Sequence, residues 1–305
     1  MDIITMRELG RRGRFGNALY QYAFVRVMAH EHNARYQVSP WVGQELFGLV
    51  DPPLSASLPV VGERSEGEPN YTQAIPLTGP EVLNHDVHCY AQYHGTWWQP
   101  RRWVWRLFEP IKEIRDRLLP AYAKLCAAGR TIVGFHIRRG DYGSTGPFYY
   151  TPLQWYADWL KQHWSALDEP VLFIASEDRE LVAKFQRYYP HTAESLGLNL
   201  CNRMRVYNYL ADDVERGLPH LLDFYPDFWL LSQCDILVTG NSTFSFAAAM
   251  CRHAPPLFYR SHLWAARMIE EQVWKAYPLL HERLEDFPHI RGLKRGDPEA
   301  DECRW

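Results

Sequence analysis

The sequence predicts an α/β protein built on mostly parallel, doubly wound sheet. Three observations predict it. Short apolar runs such as Thr131-Ile132-Val133-Gly134-Phe135, Val171-Leu172-Phe173-Ile174-Ala175 and Ile236-Leu237-Val238-Thr239 read as buried strands. Segments of helical periodicity separate them, and βαβα alternation means parallel strands joined by crossover helices. Polar residues cluster just after the strands, and strand ends are where open α/β sheets bind ligands.

In chain order, Ile3-Ile4-Thr5-Met6 is the first strand. The glycine-rich loop Gly10-Arg11-Arg12-Gly13-Arg14-Phe15-Gly16-Asn17 follows, then a helix with Tyr20, Phe24, Val27 and Met28 on one face. A strand–loop–helix turn of this kind can present backbone N–H groups to an anion. The loop is neither a dinucleotide fingerprint nor a Walker motif, so by itself a plain connection reads equally well. Arg35–Val38 is the next strand. Residues 48–84, rich in Pro, Gly, Ser and Glu, read as an irregular surface region. A strand over His88–Tyr93 leads into the aromatic loop Gly95–Pro100, and a helix spans about Pro110 to Ala127. His85 and His88 have metal-like spacing but lack a third ligand, so a structural role reads better.

The second half continues with a helix over Pro152–Trp164, the strand ending in Ser176-Glu177-Asp178, a helix over Glu180–Tyr188 and a strand at Met204–Tyr207. A helix near His220–Gln233 carries Leu222, Phe224, Phe228 and Leu231. The small-residue helix Phe244–Met250 follows Gly240-Asn241-Ser242-Thr243, and Pro256–Tyr259 is the last strand. Residues 262–276 read as an amphipathic helix. The polar tail Gly292–Trp305 reads as disordered.

Composition bounds the function. The chain has 305 residues, 47% hydrophobic and 23% charged, which is globular composition with room for a full core. A net charge of −3 argues against a nucleic-acid partner. Six cysteines at 89, 126, 201, 234, 251 and 303 form no Cys-x-x-Cys pair and suggest neither a zinc site nor a disulfide framework. No signal-peptide pattern and no run near the length of a membrane span is present, so a cytoplasmic protein without stable membrane insertion is expected, with peripheral membrane association left open.

The chemistry concentrates in His136-Ile137-Arg138-Arg139-Gly140-Asp141-Tyr142. Two guanidinium forks at a strand end suit a diphosphate, since each donates two parallel hydrogen bonds. The alternative is a solvated turn. Glu177 and Asp178 could accept from a base or ribose. Ser242 and Thr243 could hold phosphate at a helix start, cap that helix, or do both.

These segments, in their order, resemble the α-1,2-fucosyltransferases, glycosyltransferase family 11. His136–Tyr142 resembles the family's His-x-Arg-Arg-Gly-Asp-Tyr, and Gly13–Ala23 resembles its opening Gly-x-x-Gly-Asn-x-x-x-Gln-Tyr-Ala. Phe173–Asp178 is similar to its Ser-acid-acid strand end. Tyr90-Ala91-Gln92 stands where Gly-Tyr-x-Gln is usual, and Asp227–Asp235 with Gly240–Phe246 resembles the later helix and Asn-Ser-Thr-Phe-Ser block. The sequence departs from the family after Phe244, where Ser245-Phe246-Ala247-Ala248-Ala249 replaces Ser-Trp-Trp-x-Ala.

The resemblance implies a GT-B fold, two Rossmann-like domains facing across a cleft. An acceptor-side domain would span 1–125, a GDP-sugar-binding domain 126–260, and a C-terminal helix and polar tail 261–305. It implies an inverting, metal-independent transfer of L-fucose from GDP-fucose to O2 of a terminal β-galactose, with GDP-fucose as donor and no cofactor. Arg138, Asn17 and Asp141 are its catalytic candidates, Asp141 as a base or as a structural partner of an arginine. Donor binding falls to His136, Arg139, Glu177, Asp178, Asn241, Ser242, Thr243, Phe244 and Gly16, with no metal ligands. Trp97, Trp98 and Trp103 are candidate sugar platforms or core residues. Two alternatives remain open: a GDP-sugar transferase with a protein or other sugar acceptor, and a non-catalytic nucleotide- or glycan-binding relative.

Overall fold

A computed structural model describes residues 1–62, 64–65, 74–75, 79–93, 101–144, 146–198, 224–252 and 254–305. The chain divides into two compact units, the first built on Met1–Arg115 and the second on Asp116–Met204 with Phe224–Trp305. The expected boundary at 125/126 lies ten residues beyond this division, within the helix Lys112–Ala128, and residues 261–305 fall in the second unit.

The first unit carries β1 (Ile3–Met6), α1 (Phe15–Glu31), β2 (Arg35–Val38), α2 (Val42–Phe47) and β3 (Val60–Gly62). The short pair β4 (Arg64–Ser65) and β5 (Ala74–Ile75), β6 (His85–His88) and α3 (Arg101–Arg106) follow. The sheet order is β2-β1-β6-β3, and every described pairing in it is parallel. The chain leaves β1 toward β2 and later returns to the other side of β1. That reversal places a topological switch point between β1 and β6.

Three expectations change here. Residues 48–84 were read as irregular, yet β3 pairs along β6. The strand expected over His88–Tyr93 lies earlier, at His85–His88, and Ala91, three residues beyond it, takes a left-handed backbone with φ of 55° that a continuing strand does not allow. α1 is buried on nearly all sides rather than on one face, because its small and apolar residues alternate with the buried polar Gln21.

The second unit is entered along α4 (Lys112–Ala128). It continues with β7 (Thr131–Ile137), α5 (Leu153–His163), β8 (Pro170–Ser176), α6 (Arg179–Ala183), α7 (Tyr225–Gln233), β9 (Ile236–Thr239), α8 (Thr243–Met250), β10 (Leu257–His262) and β11 (Arg267–Glu271). Its sheet order is β11-β10-β9-β7-β8, parallel except for β11. β7 lies between β8 and β9, so the switch point falls between β7 and β9. Phe135 anchors the core under β7, packing on Tyr156, Phe185 and Trp159 with ring centroids 5.1, 5.7 and 6.1 Å away. Truncation of such a ring costs about 3–5 kcal/mol.

The helix expected over 262–276 is instead a turn and the edge strand β11, antiparallel to β10, with a short 3-10 turn at Val273–Lys275. The reason is a long-range partner that local periodicity does not contain. Arg260, with no exposed surface, ion-pairs with Glu271 at 2.5 Å, and His262 meets Glu271 at 2.9 Å. Burying a guanidinium requires that pairing, and only an antiparallel strand brings Glu271 back to it. The tail expected to be disordered is packed as well, with Leu293 and Ala300 buried and Trp305 against Phe185 and Tyr188. The helix expected over Glu180–Tyr188 is split into α6 and a 3-10 turn at Gln186–Tyr188. The strand expected at Met204–Tyr207, Leu222, Trp97 and Trp98 lie outside the described residues.

Candidate active site

In the second unit, residues after β7, β8 and β9 converge at the switch point. Arg138, 7% exposed, leaves the end of β7 and donates from Nη1 to Glu177 Oε1 at 2.6 Å and from Nη2 to Asp141 Oδ1 at 2.5 Å. The same Glu177 oxygen accepts the Arg139 backbone N–H at 2.9 Å. The turn closes on Gly140, whose φ is 52°; a Cβ there would lie 2.8 Å from Glu177 Oε1 and 3.2 Å from Arg138 Nη1. Glycine is required for backbone and space alike.

Three buried polar atoms at these strand ends have no hydrogen-bond partner among the described residues, Glu177 Oε2, His136 Nδ1 and Thr239 Oγ1. Buried polar atoms are nearly always satisfied, and an orphan at a strand end is a natural contact for ligand. Burial, with the Arg138 charge beside it, pulls the His136 pKa down to about 3, so the ring is neutral across working pH. Phe244 lies against it at 5.2 Å between ring centroids.

The remaining candidates divide. Asp178 caps α6, accepting the Glu180 N–H at 2.9 Å, so Glu177 is the acid with an open oxygen. Ser242 caps α8 through the Phe244 N–H, and Thr243 opens that helix half-exposed. Asn241, expected near phosphate, spends its amide inside the protein. Its Nδ2 donates to Pro147 O and Leu280 O, and its Oδ1 accepts from the Leu280 N–H. Arg139 also turns inward, to Asp301, Ala300 O, Thr151 O and Arg138 O. The structure therefore brings Arg138, Glu177, His136 and the start of α8 together, and directs Arg139 and Asn241 to the scaffold.

The first unit places its polar groups at its own switch point. Gln21, fully buried, accepts from the Gly10 N–H and donates to Arg12 O, which fixes the glycine loop. Asn17, in the first turn of α1 beside the buried Gly16, accepts from Gln92 Nε2 at 2.7 Å. Gly13, with φ of 79°, admits the Asn17 amide; a Cβ would lie 1.8 Å from Asn17 Nδ2.

On one face of the first unit's sheet is a cluster the sequence reading missed. Asp86, 3% exposed, accepts on Oδ1 from Thr5 Oγ1 at 2.8 Å and from the Arg7 N–H at 2.9 Å. Its Oδ2 lies 3.0 Å from His88 Nε2. Asp86 and His88 stand two apart on a strand and so share a face, a signal present in the sequence. A buried carboxylate holding a partly exposed imidazole is the arrangement of an oriented base. Trp103 stacks on His30 at 5.4 Å and covers Arg26, a packing role rather than a free sugar platform. Among the described residues no group of three or more His, Cys, Asp or Glu could hold a metal ion.

Comparison with known proteins agrees with the resemblance read from the motifs. No family model matches the chain. It is 24% identical over 267 residues to galactoside alpha-(1,2)-fucosyltransferase 1 of Bos taurus, covering 78% of this chain and 64% of that protein. The chain thus spans somewhat under two thirds of that relative's length. Among solved structures, the NodZ alpha-1,6-fucosyltransferase soaked with GDP-fucose superposes with a TM-score of 0.57 at 13% identity, over 89% of this chain and 100% of that one. An Arabidopsis thaliana FUT1 variant in complex with GDP superposes with a TM-score of 0.51 at 12% identity, over 85% and 69%. At these identities the structures establish the fold, the α/β GT-B type of two units each with a parallel sheet. No described helix is long and apolar enough to cross a membrane.

Proposed function

We propose that this protein transfers L-fucose from GDP-fucose to a glycan hydroxyl, with inversion and without a metal, and that the acceptor is O2 of a terminal β-galactose. The observation that carries the donor half is Arg138, preset by Glu177 and Asp141 at the switch point beside the unpartnered Glu177 Oε2 and His136 Nδ1. A carboxylate oxygen suits the N–H edge of guanine, and a guanidinium with a helix N-terminus suits a diphosphate. The curated α-(1,2) relative supports the linkage; NodZ, an α-1,6 enzyme, keeps another acceptor as the second reading.

In this reading the acceptor oxygen attacks the anomeric carbon as the bond from that carbon to the β-phosphate oxygen breaks, and GDP leaves with the electron pair. Arg138 and the first N–H groups of α8 meet the charge that develops on the diphosphate. The hydroxyl proton passes to a base. Asp141 is already committed to Arg138, so we assign that role to His88, whose ring Asp86 orients. Asn17, whose amide Gln92 orients, is the other first-unit residue in this reading.

The test is incubation with GDP-fucose, other GDP-sugars and UDP-sugars. Lactose, N-acetyllactosamine, N-acetylglucosamine and a small folded protein domain serve as acceptors, with and without EDTA, and products are mapped by NMR. A Fuc-α-1,2-Gal product that survives EDTA is expected. Transfer only to a non-galactose sugar or to protein would remove the acceptor assignment and keep the donor one. No turnover of any GDP-sugar would remove both.

A further inference from the structure

Arg138 and Arg139 are neighbours, but they point to opposite sides of the strand end and do different work. Arg139 is 5% exposed and its guanidinium is turned onto the C-terminal segment. Nε and Nη2 donate to Asp301 Oδ1 at 3.1 and 2.8 Å, and Nη2 also reaches Ala300 O at 3.0 Å. Nη1 donates to Thr151 O and back to Arg138 O, both at 3.2 Å. Tyr150 lies under the guanidinium, 4.6 Å from its carbon to the ring centre.

The same segment grips the turn that follows Arg138. Arg295 donates from its guanidinium to Gly140 O and from its backbone N–H to Gly143 O at 3.0 Å. The Tyr150 N–H donates to Leu293 O at 2.8 Å. Gly143 has φ of 81°, and a Cβ on it would stand 2.6 Å from the Arg295 nitrogen, so the two backbones are in direct contact. Ala300 is buried with Tyr142 and Tyr150. The carbonyls of Arg138, Gly140 and Gly143 are therefore each held by the tail or by the arginine the tail holds.

We propose that the C-terminal segment is a working part of the donor site, with Asp301 a positioning residue that acts through Arg139 to hold the Arg138 turn ready for diphosphate. This rests on the donor reading above. Asp301 is half-exposed, so solvent screens its charge and the ion pair adds little to overall stability. What it contributes is direction. It accepts two of Arg139's N–H groups on one oxygen, which fixes the plane from which Arg138 O is held. Preorganisation of this kind lowers the cost of ordering a clamp when the ligand arrives.

The test is GDP binding by calorimetry together with donor and acceptor KM for Asp301→Ala, Asp301→Asn, Asp301→Glu and, as a control, Glu302→Ala. Asp301→Ala should weaken GDP binding and raise the GDP-fucose KM by about tenfold, the scale of a lost charge-assisted hydrogen bond. Acceptor KM should hold. Asp301→Asn should fall between, Asp301→Glu should recover most of the loss, and Glu302→Ala should match wild type. Hydrogen exchange of the 139–143 amides should quicken in Asp301→Ala while the core under β7 stays protected. If the alanine variant does not fold, the asparagine variant carries the comparison. Wild-type GDP affinity in a folded Asp301 variant, or equal losses in both KM values with general loss of protection, overturns the proposal alone. A wild-type protein that binds no GDP overturns the donor reading and this proposal with it.

Discussion

Arg138 and Glu177 meet at 2.6 Å across the ends of two adjacent parallel strands, and the pair is nearly sealed from solvent, at 7% and 5% side-chain exposure. Register makes the contact unavoidable. Ile137 pairs with Ser176, so the next residue on each strand projects at the same level. A buried carboxylate is costly without partners. Glu177 satisfies one oxygen with Arg138 and the Arg139 N–H, and the other has no donor among the described residues. The arginine is thereby fixed before any ligand arrives.

Arg138→Lys keeps a charge but loses the planar fork. Turnover should fall by two orders of magnitude or more, about 3 kcal/mol of transition-state stabilisation. Steady-state kinetics on the folded variant decide this, and near wild-type kcat would remove Arg138 from the clamp. Glu177→Ala should act differently. It takes the buried one of two carboxylate partners from a buried guanidinium, up to about 3–5 kcal/mol, so it should lower Tm as well as GDP affinity. Calorimetry that finds Tm unchanged would contradict the burial argument.

The Asn17–Gln92 contact tests the first unit without touching donor chemistry in the second. Gln92→Glu replaces a donor with an acceptor opposite Asn17 Oδ1, so the Asn17 amide must turn over or move away. Gln92→Leu merely removes the contact. Turnover should therefore drop further in the glutamate variant, while GDP affinity stays at the wild-type level in both. Equal activity in the two variants, measured at saturating donor, would show that Asn17's orientation is immaterial.

His88→Gln should lower kcat by about 10²–10⁴, the usual contribution of a positioned general base, with GDP binding intact. Added imidazole or formate should restore part of the activity. Asp86→Asn should cost less, since the ring remains but its orientation is freed. If small bases rescue nothing and His88→Gln turns over like wild type, the proton leaves by another route.

The parts of this fold that were legible in the sequence are those whose environment is local. β7, β8 and β9 are buried on both faces and so read as unbroken apolar runs. Their polar successors mark the switch point. The parts that were not legible depend on partners far along the chain. β11 exists because Glu271 must return to Arg260, and its own sequence carries no strong alternation. Arg139 and Arg138 look equivalent in the sequence. Only the carboxylate 162 residues away shows that Arg139 belongs to the scaffold. The tail misled for the same reason, since its polar composition suggests solvent, while Asp301 bonds Arg139 and Arg295 bonds Gly140 O in the turn after β7.

Two histidines should shape stability against pH in opposite directions. His136 is held, by burial and then by Arg138, with a pKa lowered from 6.5 to about 3. Between those values the unfolded chain binds a proton the folded one refuses, so stability falls as pH drops below about 6.5. His262 is displaced the other way. Burial opposes its charge, but hydrogen bonds to Glu271 and Glu282 outweigh that and raise its pKa above 6.5. Its contribution is fully present below the unfolded value and is lost as pH rises through the folded one. Thermal unfolding followed from about pH 4 to 9 should then show a maximum whose acid side flattens in His136→Asn and whose alkaline side flattens in His262→Gln. An acid side equally steep in His136→Asn would mean that the ring is not kept neutral at the end of β7.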